Sequence, residues 1–310
     1  MRNILISFSG GRTSAFMARF CKEYYKNDNL LFCFANTGKE REETLVFVDK
    51  CDKEFGLNVV WIEADVQKIK GIGTAYKIVN FETASREGEP FEDVIKKYGI
   101  PSKLYRHCTR ELKEVPIHKF AKEYFNKLNF FQWIEKYNPN PRPTESDYKS
   151  TTLYERFKKE VTVDYVTALG IRADEPKRLK LDPKKIYPLA EINVTEEFIR
   201  DWWSNFYFDL MLKDYEGNCD NCFLKSLRKK MTIATECLIS PNWWSTMEKT
   251  YGTERQPIFD VRNNLSYAQI SDLAKKPFNK AIDKKEERDS KPNLFDLKLD
   301  VEFNCYCANT

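Results

Sequence analysis

The chain has 310 residues, a formal charge of +4, 42% hydrophobic and 32% charged residues, and 14% aromatics. That is enough apolar material for one large α/β domain with additions, or for two domains. No apolar run approaches the length of a membrane span, and the first residues lack the pattern of a signal peptide, so a cytoplasmic protein with no membrane partner is expected. The mild positive charge permits an anionic nucleotide or nucleic-acid partner without demanding one.

The chain opens on Ile4, Leu5, Ile6 and Phe8, a short buried strand. Residues 15–26 follow with Phe16, Met17, Phe20, Cys21 and Tyr24 at helical spacing. Between them lies Ser7-Phe8-Ser9-Gly10-Gly11-Arg12-Thr13-Ser14. Gly10 and Gly11 let the backbone come close to a ligand, its N–H groups point inward, and the helix start adds positive partial charge. Ser9, Thr13 and Ser14 supply hydroxyl donors and Arg12 a full charge. The plainer alternative is a tight turn whose serine caps a helix.

Residues 30–35 read as a second strand, 42–55 as a helix and 58–63 as a third strand. This alternation predicts a doubly wound parallel sheet with helices on both faces and a ligand beyond the strands' carboxyl ends. Asn36, Thr37 and Gly38 fall there with the first turn. Residues 71–101 are less regular, with a short helix at 91–98. A turn and helix cover 108–125. The stretch 126–160 is polar, aromatic and proline-bearing and reads as an insertion without forced structure, with Phe130, Phe131 and Trp133 as an exposed contact surface. The sheet resumes at 163–171. A helix is expected over 195–212, and the chain after Cys222 is helical and basic. Residues 1–215 are assigned to the α/β domain, with 126–160 as its insertion, and 216–310 to a helical, cysteine-containing region. A charged stretch spans 275–291.

Gly170-Ile171-Arg172-Ala173-Asp174-Glu175-Pro176-Lys177-Arg178 places two arginines around two carboxylates. Guanidinium forks suit phosphate or sulfate oxygens, and Asp174 and Glu175 either bind magnesium or hold the arginines. A surface ion-pair cluster of little energetic weight is the alternative. Arg228-Lys229-Lys230 reads as a solvated basic face.

Nine cysteines in a cytosolic chain do not suggest a disulfide framework. Cys21, Cys33 and Cys51 lie among apolar neighbours and read as core. Cys108 sits near cationic residues at a helix start, which favours thiolate. Cys219-Asp220-Asn221-Cys222 has a spacing that lets both sulfurs meet one metal. With Cys108 and one of Cys305 and Cys307 these make a four-cysteine set for a [4Fe–4S] cluster or a structural zinc ion.

Ser9-Gly10-Gly11-Arg12-Thr13-Ser14 resembles the Ser-Gly-Gly-x-x-Ser pyrophosphate loop (PP-loop) of the N-type ATP pyrophosphatases. With Asn36-Thr37-Gly38, Gly170–Arg178 and the cysteines, the chain is similar to the phosphoadenosine phosphosulfate (PAPS) reductase-like branch, in the form carried by phages and mobile elements. The resemblance implies ATP, PAPS or adenosine phosphosulfate (APS) as substrate, Mg2+ on the phosphates, and favours the iron–sulfur cluster over zinc. It implies Ser14, Arg12, Arg172 and Arg178 as catalytic, with Ser7, Ser9, Gly10, Gly11, Thr13, Asn36, Thr37, Gly38, Gly170, Asp174 and Glu175 around the nucleotide. Asn36 stands where the family commonly has an acidic residue.

The reaction implied is adenylylation of an acceptor with pyrophosphate release, for sulfur transfer from a donor such as a cysteine desulfurase, with nucleic acid as an acceptor class. A true PAPS reductase is the alternative, although Glu236-Cys237-Leu238 lacks the reductases' C-terminal Glu-Cys-Gly arrangement. A nucleotide- or nucleic-acid-binding accessory protein without turnover is the third reading.

Overall fold

A computed structural model describes residues 1–69, 71–137, 152–236 and 242–283. Six strands form one sheet: β1 (Asn3–Ser7), β2 (Asn29–Asn36), β3 (Val60–Asp65), β4 (Ala75–Val79), β5 (Val166–Ala168) and β6 (Lys185–Ile186). Their order is β4-β3-β2-β1-β5-β6. The α/β class is as expected, with one correction: β3 and β4 run antiparallel, Trp61 facing Val79 and Asp65 facing Ala75. Half-exposed β4 has no continuous apolar run, so its strand character comes from pairing with β3 rather than from its own pattern.

β1 is the central strand, and Ile4, Leu5 and Ile6 are fully buried. From it the chain goes one way to β2 and the other way to β5, so the crevice at the carboxyl end of β1 is a topological switch point. On one face α1 (Arg12–Tyr24) and α2 (Glu42–Phe55) pack Met17, Ala18, Leu45 and Val48 against Ile4, Ile6, Phe8 and Phe34. Cys21 and Cys51 are buried there; Cys33 is buried on the opposite face among Leu5, Leu31 and Ile62.

That opposite face is covered by a long helical run. A single turn α4 (His107–Thr109), a π-helical turn (Arg110–Glu114) and α5 (Val115–Tyr137) succeed one another without leaving the helical region. The run is longer than periodicity over 108–125 suggested. Part of the stretch read as irregular is therefore ordered: α5 reaches Tyr137, and α6 (Thr152–Glu160) packs Tyr154 and Phe157 on Phe130 and Ile134. Phe130, expected on a contact surface, is fully buried, because α6 returns to cover it.

The expected 195–212 helix is only α8 (Glu196–Ser204), opened by Thr195, whose hydroxyl accepts from the Phe198 N–H. α7 (Pro188–Glu191) precedes it. Beyond Ser204 the chain unwinds because its groups are needed elsewhere: Asp209 and the Leu210 carbonyl receive the Arg12 side chain. Trp203 of α8 donates from its indole to the Arg12 carbonyl at 3.0 Å. The strand expected at 163–171 shrinks to β5.

The C-terminal part adds α3 (Glu89–Tyr98) from earlier in the chain to α9 (Leu227–Thr235), α10 (Asn242–Tyr251) and α11 (Tyr267–Ala274) around Phe91, Trp244, Phe259 and Tyr267. Lys230 corrects the solvated-face reading. It is buried and ion-paired with Asp260, which also accepts from Asn263. A charge is tolerated in such a core only when paired in this way. No helix among the described residues is long and apolar enough to cross a membrane.

Candidate nucleotide site and thiol corner

The turn between β1 and α1 is shaped by one conformational requirement. Gly10 has φ +81°, and a Cβ there would stand 2.6 Å from Thr44 Cγ2. Both left-handed backbone and lack of room demand glycine. Gly11 then caps α1 in extended conformation with no side-chain hydrogen bond, and no acidic residue stands in the first turn of the helix. The first N–H groups and the positive end of the helix dipole face the cleft without a carboxylate to neutralise them.

The hydroxyls are already arranged. Ser9 Oγ donates to Ser14 Oγ at 3.0 Å, and Ser14 Oγ donates to the Gly11 carbonyl at 2.9 Å. Gly170, after β5, comes so close that a Cβ on it would lie 3.2 Å from Ser14 Cα. This approach brings the arginine segment over the turn. Arg172 donates to Thr13 Oγ1 at 3.2 Å and to Asp174 at 2.9 Å. Arg178 donates to Glu175 at 2.5 Å. A cleft of about 350 Å³ opens among them, lined by Ser9, Gly11, Ser14, Gly170, Arg172 and Arg178 and also by Arg12, Thr13 and Glu175.

Every guanidinium described here has an acidic partner within reach. Arg200, a cleft residue that sequence reading missed, pairs with Glu196 and Asp214. Burial favours the protonated form of Asp174, but the Glu196 N–H and Arg172 hold its carboxyl below the usual range. These partly exposed pairs are worth little individually, so an incoming polyanion can exchange with the carboxylates. Arg12 is different. Its bidentate contact with Asp209, at 2.6 and 2.9 Å, and its bond to Leu210 commit the guanidinium expected to meet the anion. Its place at the helix start decided the expectation; Asp209, nearly two hundred residues on, decided the outcome.

Asn36 is likewise committed. Its amide donates to Glu63 at 2.6 Å and to the Ser85 carbonyl at 2.8 Å, and its oxygen accepts from Gly38 N–H at 3.2 Å. It fastens the end of β2 rather than presenting an amide to a ribose or base. Thr37 donates to Glu40 at 3.1 Å, and Glu40 pairs with Lys113 at 3.2 Å. Ser7 lines a second, smaller cavity of about 50 Å³, with Ser9, Thr109, Lys113, His118 and Lys185 among its walls. Ser9 belongs to both.

The thiol corner is joined to the turn. Lys39–Arg41 and Asn218–Asp220 run side by side: Arg41 N–H donates to the Asn218 carbonyl, Asp220 N–H to the Lys39 carbonyl, and Glu40 bridges to Cys219. Lys39 and Asp220 form an ion pair at 3.1 Å. Asn218 donates its amide to the Ser9 carbonyl at 2.6 Å. No sequence signal marked Asn218 beyond its adjacency to Cys219.

Cys108, Cys219 and Cys222 fall in one cluster under α3 and α10. Burial and neighbouring Cys222 push the Cys108 thiol up to about 11, against the pull of Lys113 and Arg106. Burial, Glu40 and Cys222 push Cys219 up as well. Desolvation thus outweighs the nearby cations that favoured a thiolate at Cys108. Soft sulfur donors from two chain segments suit an iron–sulfur or zinc centre in kind. However, among the described residues no three His, Cys, Asp or Glu side chains are gathered as a metal site. Cys305 and Cys307 lie outside the described residues, as do Cys237 and Leu238. The carboxylates beside the cleft, Asp174 and Glu175, are held by Arg172 and Arg178.

An α/β sheet with an uncapped glycine turn at its switch point, faced by arginines, defines an anion-binding class of protein. Residues 3–81 match the phosphoadenosine phosphosulfate reductase domain. The chain is 31% identical over 230 residues to the uncharacterised nin region protein ORF290 of Escherichia phage lambda, covering 73% of this chain and 67% of that one. It belongs to the phage-type PAPS reductase-like family. Two uncharacterised proteins of Methanocaldococcus jannaschii are 26% and 29% identical over 49% and 38% of this chain, which spans only 27% and 22% of their lengths.

Proposed function

We propose that the cleft binds the phosphates of an adenine nucleotide, and that the protein adenylylates an acceptor with release of pyrophosphate, as the first step of sulfur transfer. One observation carries this reading: the uncapped start of α1 and the Arg172–Arg178 segment close on the same cleft from opposite sides. In the reaction, an acceptor oxygen attacks the α phosphorus of ATP, the bond to the bridging oxygen breaks, and pyrophosphate leaves. A sulfur nucleophile then displaces AMP from the acceptor. Ser9, Ser14 and the first N–H groups of α1 donate to the leaving pyrophosphate, where charge develops. Arg172 and Arg178 exchange their carboxylates for phosphate oxygens. Arg12 acts as a positioning residue, holding the helix start against residues 209–210.

A magnesium ion would serve as counter-ion to the nucleotide's phosphates, with Asp174 and Glu175 the carboxylates nearest to them. In this reading Cys108, Cys219 and Cys222, with Cys305 or Cys307, hold a [4Fe–4S] cluster, or else zinc; a cluster would supply soft, redox-capable sulfur chemistry. The sulfur donor is a partner such as a cysteine desulfurase. Anaerobically purified protein mixed with ATP, a sulfur donor and an oligonucleotide acceptor is expected to release pyrophosphate. Sulfite from PAPS and a thiol reductant would instead make it a reductase, the reading supported by the description of the matched domain. ATP binding without either product would make it an accessory protein.

A further inference from the structure

Away from the cleft, three aromatic rings form a ladder. His107 lies between Tyr98 and Tyr105: its ring is 5.5 Å from Tyr98 at 27° and 6.2 Å from Tyr105 at 11°. The rings come from the end of α3, the loop after it and the start of α4. The loop is built to hold them. Ser102 and Tyr105 exchange backbone hydrogen bonds at 3.0 and 3.2 Å, and the buried Ser102 hydroxyl accepts from the Leu104 N–H. At one end Tyr98 is anchored by its hydroxyl on buried Glu111. At the other, Tyr105 is 45% exposed and Leu104 73% exposed.

Cations surround the ladder. Lys97 Nζ sits 5.3 Å from the centroid of the Tyr98 ring, where the Gln67 and Ile72 carbonyls hold it at 2.6 Å each. Lys103 is exposed at the loop tip, Arg106 separates Tyr105 from His107, and the Arg110 side chain is 61% exposed. The carboxylate among them, Glu111, is buried and taken up by Arg110 and Thr74. Stacked rings with an open end and a cationic rim match one ligand chemistry: flat bases strung on a phosphate backbone. A protein partner would not require near-parallel rings, and a lipid surface would not require a ladder.

We propose that Tyr105, His107 and Tyr98 form a stacking platform for single-stranded nucleic acid, with the exposed Lys103 and Arg110 on its phosphates. The platform leads to the site already described. His107 precedes Cys108, and Thr109 and Lys113 line the small cavity that shares Ser9 with the nucleotide cleft. Resting on the reading of the cleft as an adenylylation site, the platform makes a single-stranded nucleic acid the acceptor.

The test is fluorescence anisotropy of the full chain with labelled oligo-dT and oligo-U, in parallel with calorimetric titration of ATP. Because Tyr105 is exposed, Tyr105→Ala is expected to fold normally and to lose about tenfold in affinity for the strand. Lys103→Gln is expected to lower the salt dependence of binding by about one counterion. The oligo-dT and oligo-U arms tell DNA from RNA. Equal affinities of wild type and Tyr105→Ala for both strands overturn the proposal, as does tighter binding to a duplex than to either strand. Binding to phosphatidylserine vesicles that Tyr105→Ala abolishes, with strand binding untouched, overturns it too. If the strands bind and ATP does not, the platform stands and the reading of the cleft falls.

Discussion

The cleft and the helical core behind it both contain arginines or lysines facing carboxylates, yet they use them in opposite ways. Around the cleft the pairs keep contact with water, their side chains 12–36% exposed, and Arg172, Arg178 and Arg200 can trade partners there. Between α9 and α11, Lys230 and Asp260 are sealed from solvent, and only neutral partners, the Phe223 carbonyl and Asn263, stand beside the pair. Removing a partner there strands a charge. The same chemistry is a binding device where it is wet and a structural fastener where it is dry.

The sharpest way to break this comparison is Lys230→Met. It strands Asp260 and is expected to cost about 3–5 kcal/mol, read as the denaturant midpoint of unfolding. A loss as small as that of a surface pair would erase the distinction. Next comes Gly10→Ala, which combines a left-handed backbone with contact on Thr44; about 2–4 kcal/mol of stability and ATP binding together are expected to go, checked by melting and calorimetry. Ser14→Ala separates the two regions differently. Folding is expected to be unchanged while pyrophosphate release falls about 100-fold, as for loss of one preorganised donor. Unchanged kinetics would remove Ser14 from the chemistry.

The smallest effect concerns Glu248, buried in the same dry core, where it accepts from the Phe259 and Tyr267 N–H groups. Burial raises its carboxyl from 4.5 to about 7 against those hydrogen bonds. The folded protein therefore keeps a proton that the unfolded chain has released, and stability falls as pH rises from about 4.5 through about 7. Glu248→Gln is expected to lose this slope, measured as melting temperature against pH; an identical slope in both proteins would show that Glu248 does not titrate in that window.

Much of the α/β part was legible in the residues. β1, β2 and β3 are short apolar runs, α1 and α2 have clear periodicity, and the glycine turn has a sterically demanding chemistry. The π-helical turn and α6 were not legible: α6 is amphipathic, with Tyr154 and Phe157 three residues apart, but it is short and follows a polar, proline-bearing stretch, and its packing partner Phe130 lies far back in the chain. Within the site, the serines and glycines of the turn are brought to the cleft with Arg172 and Arg178. Asn36 and Arg12 are not left open to a ligand, and Asn218, Lys113, Glu40 and Arg200 entered the site without a motif of their own.

By itself the sequence determined the turn, the strand–helix alternation around it and the cysteine spacing, since these depend on neighbours within a few residues. Only the tertiary structure decided that Arg12 belongs to Asp209, that Lys230 is buried, that Cys108 meets Cys222 and that three rings line up at 98–107. Those outcomes hang on contacts between segments far apart in the chain, where the choice of partner is set by burial and geometry that no local pattern encodes.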